Sequence, residues 1–134
     1  MKDLAGGLSA SLEHIVTAGD LASAWRNEFP VLSTPILLWL SELACMRAVE
    51  HCLAPEEITL GVLHNSRHIA ASLEGAQITI LATLINWSDK SLEFSVRAYD
   101  QSRLVLDGAH SRAVLTRQRF NHKLRLLQSA DESH

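Results

Sequence analysis

The sequence predicts an α+β fold in which a curved antiparallel sheet wraps around one long helix. Three observations carry that prediction. From Thr34 to about Leu53 apolar residues recur at helical spacing. After Pro55 the pattern changes to a period of two and keeps it as far as Thr116. The gaps between the alternating runs are short and rich in turn residues: Glu74-Gly75, Ser88-Asp89-Lys90-Ser91 and Asp100-Gln101-Ser102. Short turns between long strands make antiparallel hairpins. Such a sheet buries one face, and a helix that is apolar nearly all round its N-terminal half suits its concave side.

Taken in order, residues 1–8 and 127–134 are expected to be weakly ordered. Ser9 to Thr17 reads as a first strand, with Leu12, His14 and Val16 alternating with Glu13, Ile15 and Thr17. Ala18-Gly19-Asp20 ends it. Residues 20–32 connect to the helix and carry Trp25, Phe29 and Pro30. Rings in such a connector either plug the core or cover a site at the helix start. Thr34 is the expected N-cap, with Pro35 at the first helical position, where its missing N–H costs nothing. Ala54-Pro55 stops the helix. Four strands follow, over Glu57–Ser72, Gln77–Trp87, Leu92–Tyr99 and Leu104–Thr116. Arg117, Arg119, Lys123 and Arg125 then form either a solvated charged end or a contact for phosphate.

At 134 residues the chain fits one domain over residues 1–134. An apolar content of 47% with 20% charged residues is ordinary for a globular protein. The net charge of −3 gives no basic signal, so neither nucleic acid nor a membrane is an expected partner. The longest apolar run, Pro35–Leu40, falls far short of the ~20 residues that span a bilayer. The N-terminus lacks the apolar stretch of a signal peptide, and the expected location is cytoplasmic. Cys45 and Cys52 are separated by ~10 Å of helical rise, too far for a disulfide. They read as reduced packing residues, and no zinc spacing is present.

Glu42 is the residue that calls for explanation. On a helical wheel its neighbours are Pro35, Leu38, Trp39, Cys45, Met46, Val49 and Leu53, all apolar. A carboxylate on such a face needs a partner, a proton or a task. A solvent-facing position or a structural arginine would account for it without chemistry. On the first long strand His64, Ser66 and His68 share a face with Leu60, Val62 and Ala70. On the last strand Gly108, His110 and Arg112 share one. Gly61 and Gly108, inside strands, suggest a bulge or a close approach of backbone to a ligand.

Together these residues form a pattern. Thr34, Glu42-Leu43-Ala44-Cys45-Met46-Arg47-Ala48, Leu60-Gly61, His68, Ala71, Gly108-Ala109-His110-Ser111-Arg112-Ala113-Val114 and Phe120-Asn121-His122-Lys123 resemble the fluoroacetyl-CoA thioesterase-like family of hot-dog proteins. The resemblance covers roughly residues 28 to 125. It implies a hot-dog fold, assembly as a homodimer, and hydrolysis of an acyl-CoA thioester. It implies that Thr34, Glu42 and His68 are catalytic. Gly61 matches a glycine whose backbone faces the thioester carbonyl, and Arg112 an arginine near the substrate. No separate cofactor is implied, since CoA is part of the substrate.

The residue types fit that chemistry. Thioester hydrolysis needs a nucleophile, a base and a donor to the developing oxyanion. In one helix Thr34 and Glu42 would lie ~12 Å apart along the axis. Either the helix starts later or other residues, including those of a second subunit, complete the site. Pro35 stands where the family pattern has glycine, and the 25–31 connector is one residue short with only part of the aromatic lid. The expected substrate is therefore a short- or medium-chain acyl-CoA, with fluoroacetyl-CoA one candidate. A non-catalytic acyl-CoA-binding dimer and a hot-dog dehydratase or hydratase are the competing readings.

Overall fold

A computed structural model describes residues 1–132. The elements are β1 (Ser9–Ile15), α1 (Thr34–Val49), β2 (Glu57–His68), β3 (Gln77–Trp87), β4 (Ser91–Asp100), β5 (Arg103–Thr116) and α2 (Arg117–Glu132). Short 3-10 turns at Ala18–Asp20 and Ala22–Trp25 fill the connector, and another at Glu50–Cys52 follows α1. The five strands form one sheet of order β1-β3-β4-β5-β2, with every pairing antiparallel. The predicted architecture is therefore present.

The period of two decides which side chains fill the core. Ile78, Ile80, Ala82 and Leu84 of β3 and Leu92, Phe94, Val96 and Ala98 of β4 are all fully buried. They pack with Leu37, Leu40, Ala44, Cys45 and Val49 of α1 in one cluster. Burying a side chain the size of leucine or phenylalanine contributes roughly 1.5–3 kcal/mol. The helix therefore turns its Leu37–Leu40–Ala44 face to the sheet. Ser41 is buried on that face because its hydroxyl donates to the Leu37 carbonyl one turn back (2.8 Å).

Several expectations are corrected. The helix is capped at Ser33, not Thr34, and ends at Val49 rather than near Leu53. Ser33 makes no side-chain capping bond, and Thr34, already helical, spends its hydroxyl elsewhere. Strand β2 ends at His68 rather than Ser72. Residues 1–8 are tied down: the Met1 amino group donates to Glu57 (2.7 Å), Lys2 N–H to the Cys52 carbonyl, Gly7 N–H to the Leu84 carbonyl of β3, and Leu84 N–H to the Leu8 carbonyl. The segment from 127 continues α2 to Glu132, while positions 133–134 lie outside the described residues.

One irregularity positions the site. Gly61 pairs with Arg112 and Leu63 with Ser111, so Val62 is an extra residue, a β-bulge. A single inserted residue switches the faces of a strand. Thr59 and Gly61 before the bulge thus share a face with His64, Ser66 and His68 after it. Leu60, expected on that face, lies on the other one, and Val62 sits exposed at the bulge itself.

Candidate active site

The concave face of β2 and β5 meets α1 at Glu42. Arg112 is 4% exposed and reaches Glu42 Oε1 through Nη1 at 2.7 Å. The same guanidinium donates from Nε to Thr59 Oγ1 (2.9 Å) and from Nη2 to the Thr59 carbonyl (3.0 Å). Its Nη1 also lies 3.1 Å from His110 Nε2. Every nitrogen of the buried cation therefore has a partner, which is the condition for burying a charge.

The second oxygen of the carboxylate, Glu42 Oε2, lies 3.1 Å from His64 Nε2. An ionised carboxylate only accepts, so His64 donates from Nε2. His110 Nδ1 is 3.0 Å from the Leu63 carbonyl, which fixes the proton on Nδ1 and leaves Nε2 a bare acceptor toward Arg112. The His64 and His110 rings stack with centroids 4.1 Å apart and planes at 19°. Burial, with the neighbouring His64 adding to it, pushes His110 down to about 4, so it is neutral. Burial pushes the Glu42 carboxyl up, but the bonds from His64 and Arg112 outweigh it and hold the group below its ordinary value. Glu42 is ionised at neutral pH.

Gly61 belongs to the same group. A Cβ there would stand 2.5 Å from Glu42 Oε1 and 3.3 Å from His110 Cε1. The glycine is required for space, because the carboxylate lies where its side chain would be. At Gly108 the crowding comes instead from the Asn65 carbonyl and the backbone of Ser66 across β2. Cys45, also near Glu42 and Arg112, is buried with its thiol pushed up to about 12 by that burial. It is a protonated packing group, as is expected of an apolar environment.

Glu42, His64 and His110 offer three possible metal ligands within 4.8 Å of one another. Two features argue against a metal. The stacked imidazoles, with planes only 19° apart, direct their in-plane lone pairs side by side rather than toward one ion ~2.0–2.1 Å from each. The Arg112 guanidinium also already lies against both Glu42 and His110, supplying the cation.

Thr34 and His68 form a separate group. Thr34 Oγ1 is 2.8 Å from His68 Nδ1. Both line an open cleft of about 500 Å³ with Phe29, Val31, Ser33 and Ile69. Burial lowers the pKa of His68, leaving it neutral. Its Nε2 and the Ser33 hydroxyl are buried without a partner among the described residues. Phe29 is exposed at this cleft rather than plugging the core.

The structure thus joins Glu42, Gly61 and Arg112 in one group and Thr34 and His68 in another. Thr59, His64 and His110 join the first group without having been singled out as site residues. His110 stood two residues from Arg112 and His64 stood in a two-residue register with His68, so both carried a signal. Thr59 did not, because the bulge changes its face. Glu42 has the structural arginine that a non-chemical reading required. It is also 33% exposed, and Trp39 and Met46 on its helical face and Val62 and Leu63 beside Gly61 are exposed too.

Residues 16–118 match the family model described as FlK, fluoroacetyl-CoA-specific thioesterase. A fluoroacetyl-CoA thioesterase of Streptantibioticus cattleyicolor is 36% identical over 99 residues, 73% of this chain and 71% of that protein. A solved structure of the fluoroacetyl-CoA thioesterase FlK superposes with a TM-score of 0.86 at 29% identity, covering 93% of this chain and 98% of that one. A variant of that enzyme has been solved in complex with fluoroacetate and CoA. A hot-dog-like protein from Thermanaerovibrio acidaminovorans superposes at 0.82 with 18% identity, over 89% of both chains, and shares the fold.

Proposed function

Because the chain belongs to the FlK family of fluoroacetyl-CoA-specific thioesterases, we propose that it hydrolyses the thioester of a short- or medium-chain acyl-CoA. One observation in this chain supports the reading above the others. An ionised, partly open carboxylate, Glu42, is fixed between Arg112 and His64 on a glycine that makes room for it. Glu42 acts on the thioester carbonyl, directly or through a water molecule. The C–S bond breaks, the oxygen of water ends in the carboxylate product, and the CoA sulfur leaves as a thiol. Neutral His68, its Nδ1 held by Thr34, moves a proton in that exchange. A backbone N–H near Gly61 and the Arg112 charge favour the oxyanion. The reaction needs no cofactor beyond the CoA of its substrate.

Within one chain Thr34 and Glu42 lie eight residues apart on α1, so the two groups do not meet. A homodimer resolves this. Among the described residues β2 pairs only with β5, which leaves its other edge free, and Val62 beside it is 68% exposed. A free edge invites a second strand. An antiparallel β2–β2 contact centred between Gly61 and His68 sets each opposite the other in the partner. The Thr34–His68 group of one subunit then faces the Glu42 group of the other. Among the described residues no helix is long and apolar enough to cross a membrane. The free, buried cysteines suit a reducing cytoplasm.

The deciding experiment is thiol release from an acyl-CoA panel that includes acetyl-, fluoroacetyl- and hexanoyl-CoA. Turnover that requires Glu42 is the expected result. Tight binding of acyl-CoA with no release would support a binding protein instead. Light scattering is expected to show a dimer at micromolar concentration, and a monomer there would remove the shared site.

A further inference from the structure

We infer that His64 is a positioning residue for Glu42, holding one oxygen of the carboxylate while Arg112 holds the other; this rests on the thioesterase reading of that site. The geometry is specific. Arg112 meets Oε1 at 2.7 Å and His64 meets Oε2 at 3.1 Å, from two different strands. A carboxylate held at both oxygens cannot turn about its last bond. The side chain is one-third exposed, so the fixed carboxylate is still within reach of a carbonyl carbon or water.

Two features hold His64 in turn. Its ring lies flat on His110, whose own orientation is locked by the Leu63 carbonyl. Its Nδ1 is buried and has no partner among the described residues. A proton placed on Nδ1 would be an unsatisfied buried donor, so the ring keeps its proton on Nε2, aimed at Glu42. Position 64 is also where the bulge at Val62 restores the inward direction of the strand. Without that extra residue the side chain would point away from α1.

The groups that face Glu42 are Arg112 and His110 from β5, His64 from β2 and Cys45 on α1 itself. Cys45 stays protonated and His110 neutral near pH 7. Removing the His64 donor therefore weakens the hold on the ionised carboxylate and raises the pH at which Glu42 titrates.

His64→Leu removes the donor and keeps the bulk, whereas His64→Gln places an amide N–H near the position of Nε2. For His64→Leu the expected results are a kcat about tenfold lower, the scale of one hydrogen bond to a charged group, and a KM changed by less than about twofold. The acid limb of its kcat/KM profile should move to higher pH. His64→Gln should recover most of both. Carbon-13 NMR of the Glu42 carboxyl, assigned by its loss in Glu42→Gln, reads the same shift without any turnover. If His64→Leu fails to fold, His64→Asn replaces it, since its amide is too short to reach Oε2. Parent kcat with an unmoved Glu42 titration in His64→Leu would overturn the inference, as would a His64→Gln that behaves like His64→Leu or His64→Asn. A parent protein that releases no thiol from any acyl-CoA would instead overturn the thioesterase reading, and the NMR titration would still decide the role of His64.

Discussion

The two halves of the candidate site are built to opposite designs. At Glu42, side chains from α1, β2 and β5 are linked by six hydrogen bonds around a buried arginine. At Thr34 a single hydrogen bond joins a helix terminus to the last residue of β2 at the mouth of a cleft. The first half is part of the structural frame as well as the chemistry. The second adds little to stability and stays accessible to a substrate. Substitutions at the first half should therefore change folding and activity together, and those at the second should change activity alone.

Arg112→Ala is the hardest test of that contrast. It strips Glu42 of its counter-charge and leaves the Thr59 carbonyl and hydroxyl without a donor. Breaking a buried pair this way costs about 3 kcal/mol, somewhat less here because Glu42 is one-third exposed. Turnover is expected to fall by ~10²-fold or more. Urea unfolding and thiol release on one preparation measure both. A variant as stable as the parent would show that the frame does not depend on this arginine.

Glu42→Gln comes next. Turnover per folded molecule is expected to fall by about 10²-fold, the scale of a lost acid–base group. Seen on the helix alone, Glu42 has no partner, and an amide would then be tolerated or even favoured. The Arg112 contact reverses that expectation: the amide leaves a buried cation uncompensated, and stability should drop by ~1–2 kcal/mol. The pH dependence follows from the sign of the shift. Bonds from His64 and Arg112 hold the folded pKa of Glu42 below its ordinary, unfolded value. The stabilisation is therefore complete above the unfolded pKa and is lost as pH falls through the lower folded value. Thermal unfolding of parent and Glu42→Gln should converge at acid pH.

That reversal shows what the sequence does and does not carry. The strands of the sheet were legible because each repeats at a period of two, and Ile78–Leu84 and Leu92–Ala98 bury as that period requires. The helix was legible from its spacing, but its orientation was not, since it is apolar on almost every side. Glu42 stood out on the helix while its partners stayed hidden, because a wheel shows neighbours on one element only. The family resemblance supplied Gly61 and Arg112 but placed no side chain in space. The face of Leu60 was misread and Thr59 was passed over, because one extra residue at Val62 leaves no mark in composition. The pairing of Thr34 with His68 also lay beyond local pattern, since the contact spans 34 residues.

The two glycines sharpen the comparison at finer scale. Gly61→Ala pushes a methyl against the carboxylate of Glu42. Moving that group aside loosens its bonds to Arg112 and His64, so stability should fall by ~1 kcal/mol while turnover falls about tenfold. Gly108→Ala meets the backbone of β2 at Asn65 and Ser66, which cannot yield as a side chain does. It should cost ~2 kcal/mol or more by overpacking. Equal losses of stability in the two variants would mean that Glu42 is held as rigidly as the backbone.

The smallest effect on stability is expected at Thr34. Thr34→Val keeps the shape of the side chain and removes the oxygen that meets His68 Nδ1. The bond is exposed to solvent, so losing it should cost no more than ~0.5 kcal/mol. Its catalytic effect should be larger than that, because the hydroxyl sets which way the His68 ring faces across the cleft. A fall of about tenfold in kcat is expected, with recovery in Thr34→Ser, which restores the oxygen and omits only the methyl. The separation of the two halves makes this variant decisive. A loss of activity with unchanged unfolding can arise only if an open group, held by one bond and remote from Glu42 within the chain, takes part in turnover. A dimer in which the two groups face each other provides that route. Parent-like kcat in Thr34→Val would confine the chemistry to the Glu42 half and leave the cleft a place for binding alone.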